Sequence, residues 1–163
     1  MEPPPVTIRP AVASDLSPLG RFGGDLVRFH HAIDPLRFML APDVDRGYAR
    51  WFGRELSAPE AILLVAADAD GALLGYIYGR LEPRDWNLLL DAHCVLHDIL
   101  VADVARGRGV GRALLDAFVA AARALGAPRV VLHTAVANER AQRVFRELGF
   151  RPTMLEMTLE LRE

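Results

Sequence analysis

Apolar and polar positions along the chain recur with two different periods, and each period predicts its own kind of element. Val6-Thr7-Ile8 reads as a short first strand, stopped at Pro10, which has no N–H to give. Ser14 or Asp15 is placed to cap a helix running from Leu16 to about His31. Leu19, Phe22, Leu26 and Phe29 form its single apolar stripe, and Gly23-Gly24 predicts a weak or bent point within it. Pro35, Pro42 and Pro59 punctuate the next stretch, where Tyr48, Trp51, Phe52 and Leu56 predict a second helix near 43–57. Ala61 to Ala66 is a buried strand, Asp70-Gly71 a turn, and Leu73 to Arg80 the returning strand of a hairpin. Arg84 to Asn87 reads as a loop or bulge, and Cys94 to Val101 as the next strand.

From Val110 the period becomes helical through Leu114, Phe118, Ala121 and Leu125, with Gly126 and Pro128 as the stop. Arg129 to Val136 is a Val-rich strand. Asn138 opens a helix with Ala141, Val144, Phe145 and Leu148 inward and Gly149 at its end. Finally Leu155, Met157, Leu159 and Leu161 alternate with Glu156, Thr158 and Glu160, which predicts a last strand over Met154 to Leu161. The expected order is β-α-α-β-β-β-α-β-α-β: an α/β chain with a mixed sheet covered by helices.

Composition narrows the function. A length of 163 residues predicts one domain, with Met1 to Pro5 outside it, and 52% apolar content can fill a core. The net charge of -2 disfavours a nucleic-acid binder resting on a basic field. Every basic residue is arginine, so Walker, Schiff-base and Ser-Lys chemistries are excluded. Cys94 is the single cysteine, which rules out a disulfide within the chain and disfavours a thiolate metal site. The N-terminus is neither basic nor apolar, and Ala61 to Ala67 is too short to span a bilayer. The expected setting is the cytoplasm of a bacterial-type cell, with no membrane partner.

The chemistry concentrates at Arg106-Gly107-Arg108-Gly109-Val110-Gly111-Arg112, between a strand and an amphipathic helix. The first N–H groups of a helix lack internal partners and lie at the positive end of its dipole, so they bind oxyanions. Glycines let the anion approach, and arginines add charge-assisted bonds. The Rossmann pattern fails where Arg112 replaces its last glycine, and the Walker pattern needs Gly-Lys. A glycine turn with solvated arginines is the plainer alternative.

The flanking residues favour a specific reading. Arg106-x-x-Gly109-x-Gly111 after a strand ending at Val101 resembles the acyl-CoA motif of the GCN5-related N-acetyltransferases. Ile8-Arg9-Pro10-Ala11 with Asp15-Leu16 is similar to the opening of that family, and Asn138 to Phe150 to its second conserved segment. The resemblance covers residues 6 to 161 and implies the acyl-CoA N-acyltransferase fold, a mostly antiparallel sheet with splayed strands. It implies acetyl-CoA as the acyl donor, without a metal, and a small-molecule or peptide amine as acceptor. It also implies roles. The amides of Gly107 to Arg112 hold the pyrophosphate, and Ile99, Leu100 and Val101 lie beside the pantetheine arm, where Leu100 or Val101 polarises the thioester carbonyl. Asn138 reaches the cofactor or the cleft, and a homodimer is within the family's habits.

Acylation of an amine needs a base, since an ammonium has no lone pair. The candidates near the splayed strands are His97, Asp98 and His133. On a regular strand His97 and Asp98 face opposite sides, so only one enters the cleft unless a bulge intervenes. The departure from the family is Phe145, in a cofactor-facing position where many relatives carry a tyrosine that protonates the thiolate. Tyr76 and Tyr78 are the replacements to consider. Phe145 also leaves open a non-catalytic acyl-CoA-binding or regulatory module. His30, His31 and Trp86 are candidates to line the acceptor pocket. His93-Cys94-x-x-His97-Asp98 could pass for a metal site, but Cys94 and His97 belong to opposite faces of a strand.

Overall fold

The computed structural model describes residues 5–161, so most of the Met1–Pro5 segment lies outside the described residues. The elements are β1 (Thr7–Pro10), α1 (Leu16–Ile33), α2 (Val44–Glu55), β2 (Ala61–Ala67), β3 (Leu73–Glu82), β4 (His93–Val101), α3 (Val110–Ala124), β5 (Val130–Leu132) and α4 (Glu139–Glu147). The strands form one five-stranded sheet in chain order. β1 to β4 pair antiparallel, and β5 joins β4 in parallel through Val130, Val131 and Leu132.

Both faces of this sheet carry a core, which is why β2 and β3 read as near-continuous apolar runs. On one face Leu74, Ile77, Cys94 and Leu96 pack against Leu114, Phe118 and Phe145 of α3 and α4. On the other, Leu63, Val65, Tyr76 and Tyr78 pack against Leu19 of α1 and Phe52 of α2.

Four expectations are corrected. α1 runs unbroken through Gly23-Gly24. A Cβ at Gly23 would sit 2.1 Å from the Tyr48 ring, so the missing side chain lets α1 and α2 approach closely. Asp15 does not cap α1 with its side chain; it reaches back to the Val12 N–H at 2.9 Å and pairs with Arg9 at 2.7 Å. The last predicted strand is absent: residues 151–161 are exposed and carry no regular structure. Period-two alternation states which face a strand would bury, but a strand forms only against an edge that accepts its backbone bonds. β5 is also shorter than expected, three residues where an eight-residue strand was predicted.

Candidate active site

The loop after β4 leads to the candidate anion site. Gly107 and Gly109 both adopt left-handed backbone, φ 75° and 77°, a region that a Cβ makes costly. Gly109 is the N-cap of α3, and the first bond of the helix is donated by the Ala113 N–H to the Gly109 carbonyl, at 3.0 Å. The N–H groups of Val110, Gly111 and Arg112 precede that bond and are the helix's free donors. Among the described residues nothing lies within 4 Å of a Cβ built at Gly107 or Gly109, so none of them fills the space before the helix. Such a cradle fits a pyrophosphate. Two flanking arginines are held by acids: Arg106 by Asp103 at 2.6 Å and Arg112 by Asp116 at 2.9 Å. An oxyanion placed here would therefore meet backbone donors first.

β4 is the spine of the site. β5 pairs with it only at Cys94, Val95 and Leu96. From Ile99 to Val101 no strand among the described residues lies on that side of β4, while β3 pairs on the other side. The Ala102 N–H donates to Leu74 at 2.9 Å, so the alternation of an antiparallel ladder makes Tyr76/Leu100 a hydrogen-bonded pair. The Leu100 amide is thus taken up by β3. The amides of Ile99 and Val101 point into the gap that β5 leaves. Of the two amides weighed from the sequence, only that of Val101 is turned to the gap; Ile99 offers a second.

A bulge answers the question of His97 and Asp98. Tyr78 pairs with Asp98 and Gly79 with Leu96, which leaves His97 as the extra residue. Both side chains therefore turn to the α1/α2 face. Asp98 is buried and accepts from Tyr76 Oη at 3.1 Å and from Tyr48. Burial dominates its titration and pushes it up to about 6. His97 is exposed and stacks on Tyr78, with ring centroids 5.6 Å apart. Its burial on one side, together with Arg80 and His133, holds its pKa below the usual value, against the pull of Glu82 and Glu55. His133, exposed just past β5, is thus an electrostatic neighbour of His97.

Asp98 has a consequence for stability. Its folded pKa lies above the unfolded one near 3.8, so the folded state holds the proton more tightly. Its favourable contribution is complete below pH 3.8 and is lost as pH rises through about 6. Asp98→Asn is expected to raise stability at pH 8 by up to about 3 kcal/mol and to change little at pH 4. Thermal unfolding at the two pH values measures it.

Other candidates separate from this centre. Tyr76 and Tyr78 are fully buried on the α1/α2 face, with Tyr78 Oη donating to Glu55 at 2.7 Å. Phe145 packs in the opposite core against Phe150, so neither tyrosine stands in for the hydroxyl it lacks. Asn138 uses its side-chain oxygen to cap α4, accepting from the Ala141 N–H at 3.3 Å. His30 Nδ1 meets the Leu26 carbonyl at 2.9 Å, and His31 Nδ1 meets the Phe38 carbonyl at 2.7 Å, which ties the α1–α2 loop to its helix. Trp86 is exposed, with the Arg84 guanidinium over its ring. Cys94 is buried, and burial pushes its thiol up to about 11. Among the described residues no three metal-ligating side chains converge, and no helix is long and apolar enough to cross a membrane.

Sequence reading missed Tyr48, Glu55 and Arg80. Glu55 is 9% exposed and accepts from Arg80 at 2.6 Å; Arg80 also reaches Glu60 at 2.5 Å. The available signal was Glu55 itself, a carboxylate seven residues after Tyr48 on the apolar stripe of α2.

The profile of the acetyltransferase (GNAT) family matches residues 27–150, and the chain belongs to that family. It is 37% identical to a mycothiol acetyltransferase of Beutenbergia cavernae over 95 residues, 58% of this chain and 29% of that protein. It is 38% identical to the L-methionine sulfoximine/L-methionine sulfone acetyltransferase of Pseudomonas aeruginosa over 89 residues, 54% of this chain and 49% of that one. A streptothricin acetyltransferase of Streptomyces lavendulae is 32% identical over 117 residues, 72% of this chain and 58% of that protein. The matches to the mycothiol enzymes thus span under a third of their length. In structure, a mutant of the BH1408 protein of Bacillus halodurans superposes with a TM-score of 0.82 at 21% identity, over 96% of this chain and 99% of that one. AAC(6')-Iy, in complex with the bisubstrate analogue CoA-S-monomethyl-acetylneamine, gives 0.72 at 20% identity over 96% and 98%. The mostly antiparallel five-stranded sheet flanked by helices is the fold these structures share.

Proposed function

We propose that the chain is a single catalytic domain that transfers the acetyl group of acetyl-CoA to a primary amine of a small molecule or peptide, by direct attack while both substrates are bound. The observation that carries this reading is the gap beside Ile99–Val101, whose free strand edge leads to the helix N-terminus at Gly109. A cofactor arm lying in that gap can pair with β4 like an added strand, with its pyrophosphate at the amides of Gly107 to Arg112. The relatives carry the names of small molecules, which supports a small acceptor.

Acetyl-CoA supplies an activated thioester; the residues supply placement and proton handling. The amide of Val101, aided by Ile99, donates to the carbonyl oxygen as charge grows on it. His97 takes the proton from the amine as its nitrogen bonds to the carbonyl carbon and the C–S bond breaks. Its lowered pKa keeps it neutral, and able to accept, at pH 7. His133 stands in reserve, and Asp98, held by two phenols, positions the bulge that presents His97. The thiolate leaves unprotonated and collects its proton from water, because Phe145 has none to give. The α1–α2 loop held by His31, and the loop that carries Trp86, form the acceptor side. A single buried thiol suits the cytoplasm.

The test is thiol release from acetyl-CoA in the presence of a panel of amines, with the acetylated amine identified by mass. Release that depends on the amine supports transfer. CoA binding without release supports the non-catalytic module that Phe145 suggests. Phe145→Tyr is expected to keep kcat or raise it several-fold, measured in the same assay; a large loss with CoA still bound would contradict the proposed cleft.

A further inference from the structure

Among the described residues no hydrogen bond holds the His97 ring. What fixes it is a face: the imidazole lies over the ring of Tyr78, with centroids 5.6 Å apart and planes 21° from parallel. An imidazole oriented through a ring nitrogen has that nitrogen committed to its partner. One oriented through its face keeps both nitrogens for a substrate and for water. The stack follows from the bulge in β4, which leaves His97 beside Tyr78 rather than on the opposite side of the sheet.

Tyr78 is itself held in place. It is fully buried, and the last turns of α2 grip it from one side. Trp51 meets its ring in a T-shaped contact at 4.8 Å between centroids, and Phe52 in a tilted one at 5.4 Å. Glu55, farther along the same helix, accepts from Tyr78 Oη at 2.7 Å. Burial and Glu55 push the Tyr78 phenol up, so it keeps its proton and the direction of this bond. Glu55 is fixed in turn by Arg80 at 2.6 Å, and Arg80 also meets Glu60 at 2.5 Å and Glu82 at 3.5 Å. A ring held by two aromatic neighbours and one charge-assisted bond does not turn without disturbing all of them.

We propose that Tyr78 is a positioning residue for His97: its ring is a rigid shelf, locked by α2 through Trp51, Phe52 and Glu55, that sets the angle at which the imidazole is presented. Its part in turnover rests on the reading of His97 as the base; the stack itself does not. The charges around the shelf also act on His97. They are Arg80 and Glu82 of β3, Glu55 of α2 and His133 beyond β5, with the Tyr78 phenol uncharged. Burial lowers the His97 pKa most; Glu82 and Glu55 raise it, and Arg80 and His133 lower it.

Proton NMR of the full chain reads the shelf directly. The chain has five histidines, so His97 is assigned by the signal lost in His97→Gln. Its ring protons are expected upfield of the ordinary histidine range, displaced by the ring current of Tyr78. Tyr78→Leu is expected to abolish the displacement and to lower kcat by roughly tenfold to a hundredfold, with the KM for acetyl-CoA unchanged. Tyr78→Phe, which keeps the ring, is expected to retain the displacement and most of kcat. Glu55→Gln keeps an acceptor for Tyr78 and removes a charge, so the His97 titration and the acid limb of kcat/KM are both expected to move to lower pH. Looser packing would wet the imidazole and move them the other way. Undisplaced His97 protons in the wild-type chain, a measurement that needs no variant to fold, would overturn the shelf. So would a folded Tyr78→Leu variant that turns over like the wild type while His97→Gln does not. A displaced resonance whose titration moves while the acid limb stays in place would remove His97 as the base, and Tyr78 from turnover with it, while leaving the stack.

Discussion

Gly109→Val is expected to weaken CoA binding at least a hundredfold while the protein still folds. A hundredfold corresponds to about 2.7 kcal/mol. Two effects add. At φ 77° a β-branched residue is strained, and relaxing the strain rotates the peptides that open α3. The free N–H groups of Val110, Gly111 and Arg112 then lose their common direction. The new side chain also occupies the open space before the helix, where a Cβ meets no atom of the described residues within 4 Å. That open space is why folding survives. Gly71, in the hairpin turn, is the matched control: its φ is 84° and its Cβ site is equally open. Gly71→Val should show similar strain in thermal unfolding and unchanged CoA affinity in calorimetry. Equal affinity in the Gly109 variant would remove the phosphate cradle from the account.

His97→Gln is expected to lower kcat by roughly a hundredfold or more, the usual share of a positioned base, with CoA affinity unchanged. The pH profile separates this from a structural role. Burial, Arg80 and His133 lower the His97 pKa, while Glu82 and Glu55 oppose them. The base is neutral above its pKa, so the acid limb of kcat/KM is expected below pH 6.5, followed by a plateau through neutrality. In His97→Gln that limb should vanish. His133→Gln removes a neighbour whose electrostatic effect disfavours protonation of His97, so the limb should move upward with a smaller loss of rate. A His97 variant that kept the full limb would assign the base elsewhere.

Most of the element order was legible because this sheet is covered on both faces. β2 to β4 then show as apolar runs, and the helices as stripes with glycine stops at Gly126 and Gly149, both of which adopt positive φ. The glycine turn before α3 was legible too, since glycine between a strand and an amphipathic helix has a local cause. The side of the sheet that each catalytic candidate faces was not. One extra residue in β4 reverses the alternation, and nothing in His97-Asp98 marks it, because a bulge is a property of the pairing between two strands. Gly23 misled for a related reason: a local propensity rule reads it as a weak point, whereas its use is the close approach of Tyr48 from another helix.

What the sequence by itself determined was the periodicity of each segment and the chemistry of its turns, which depend on neighbours within a few residues. Only the tertiary structure decided that Leu100 gives its amide to β3 while Val101 keeps its own free, and that Asp98 is buried between phenols. It also decided that Met154 to Leu161 stays out of the sheet despite its alternation. Register, burial and edge pairing are relations between residues far apart in the chain, and a one-dimensional pattern carries them only as possibilities.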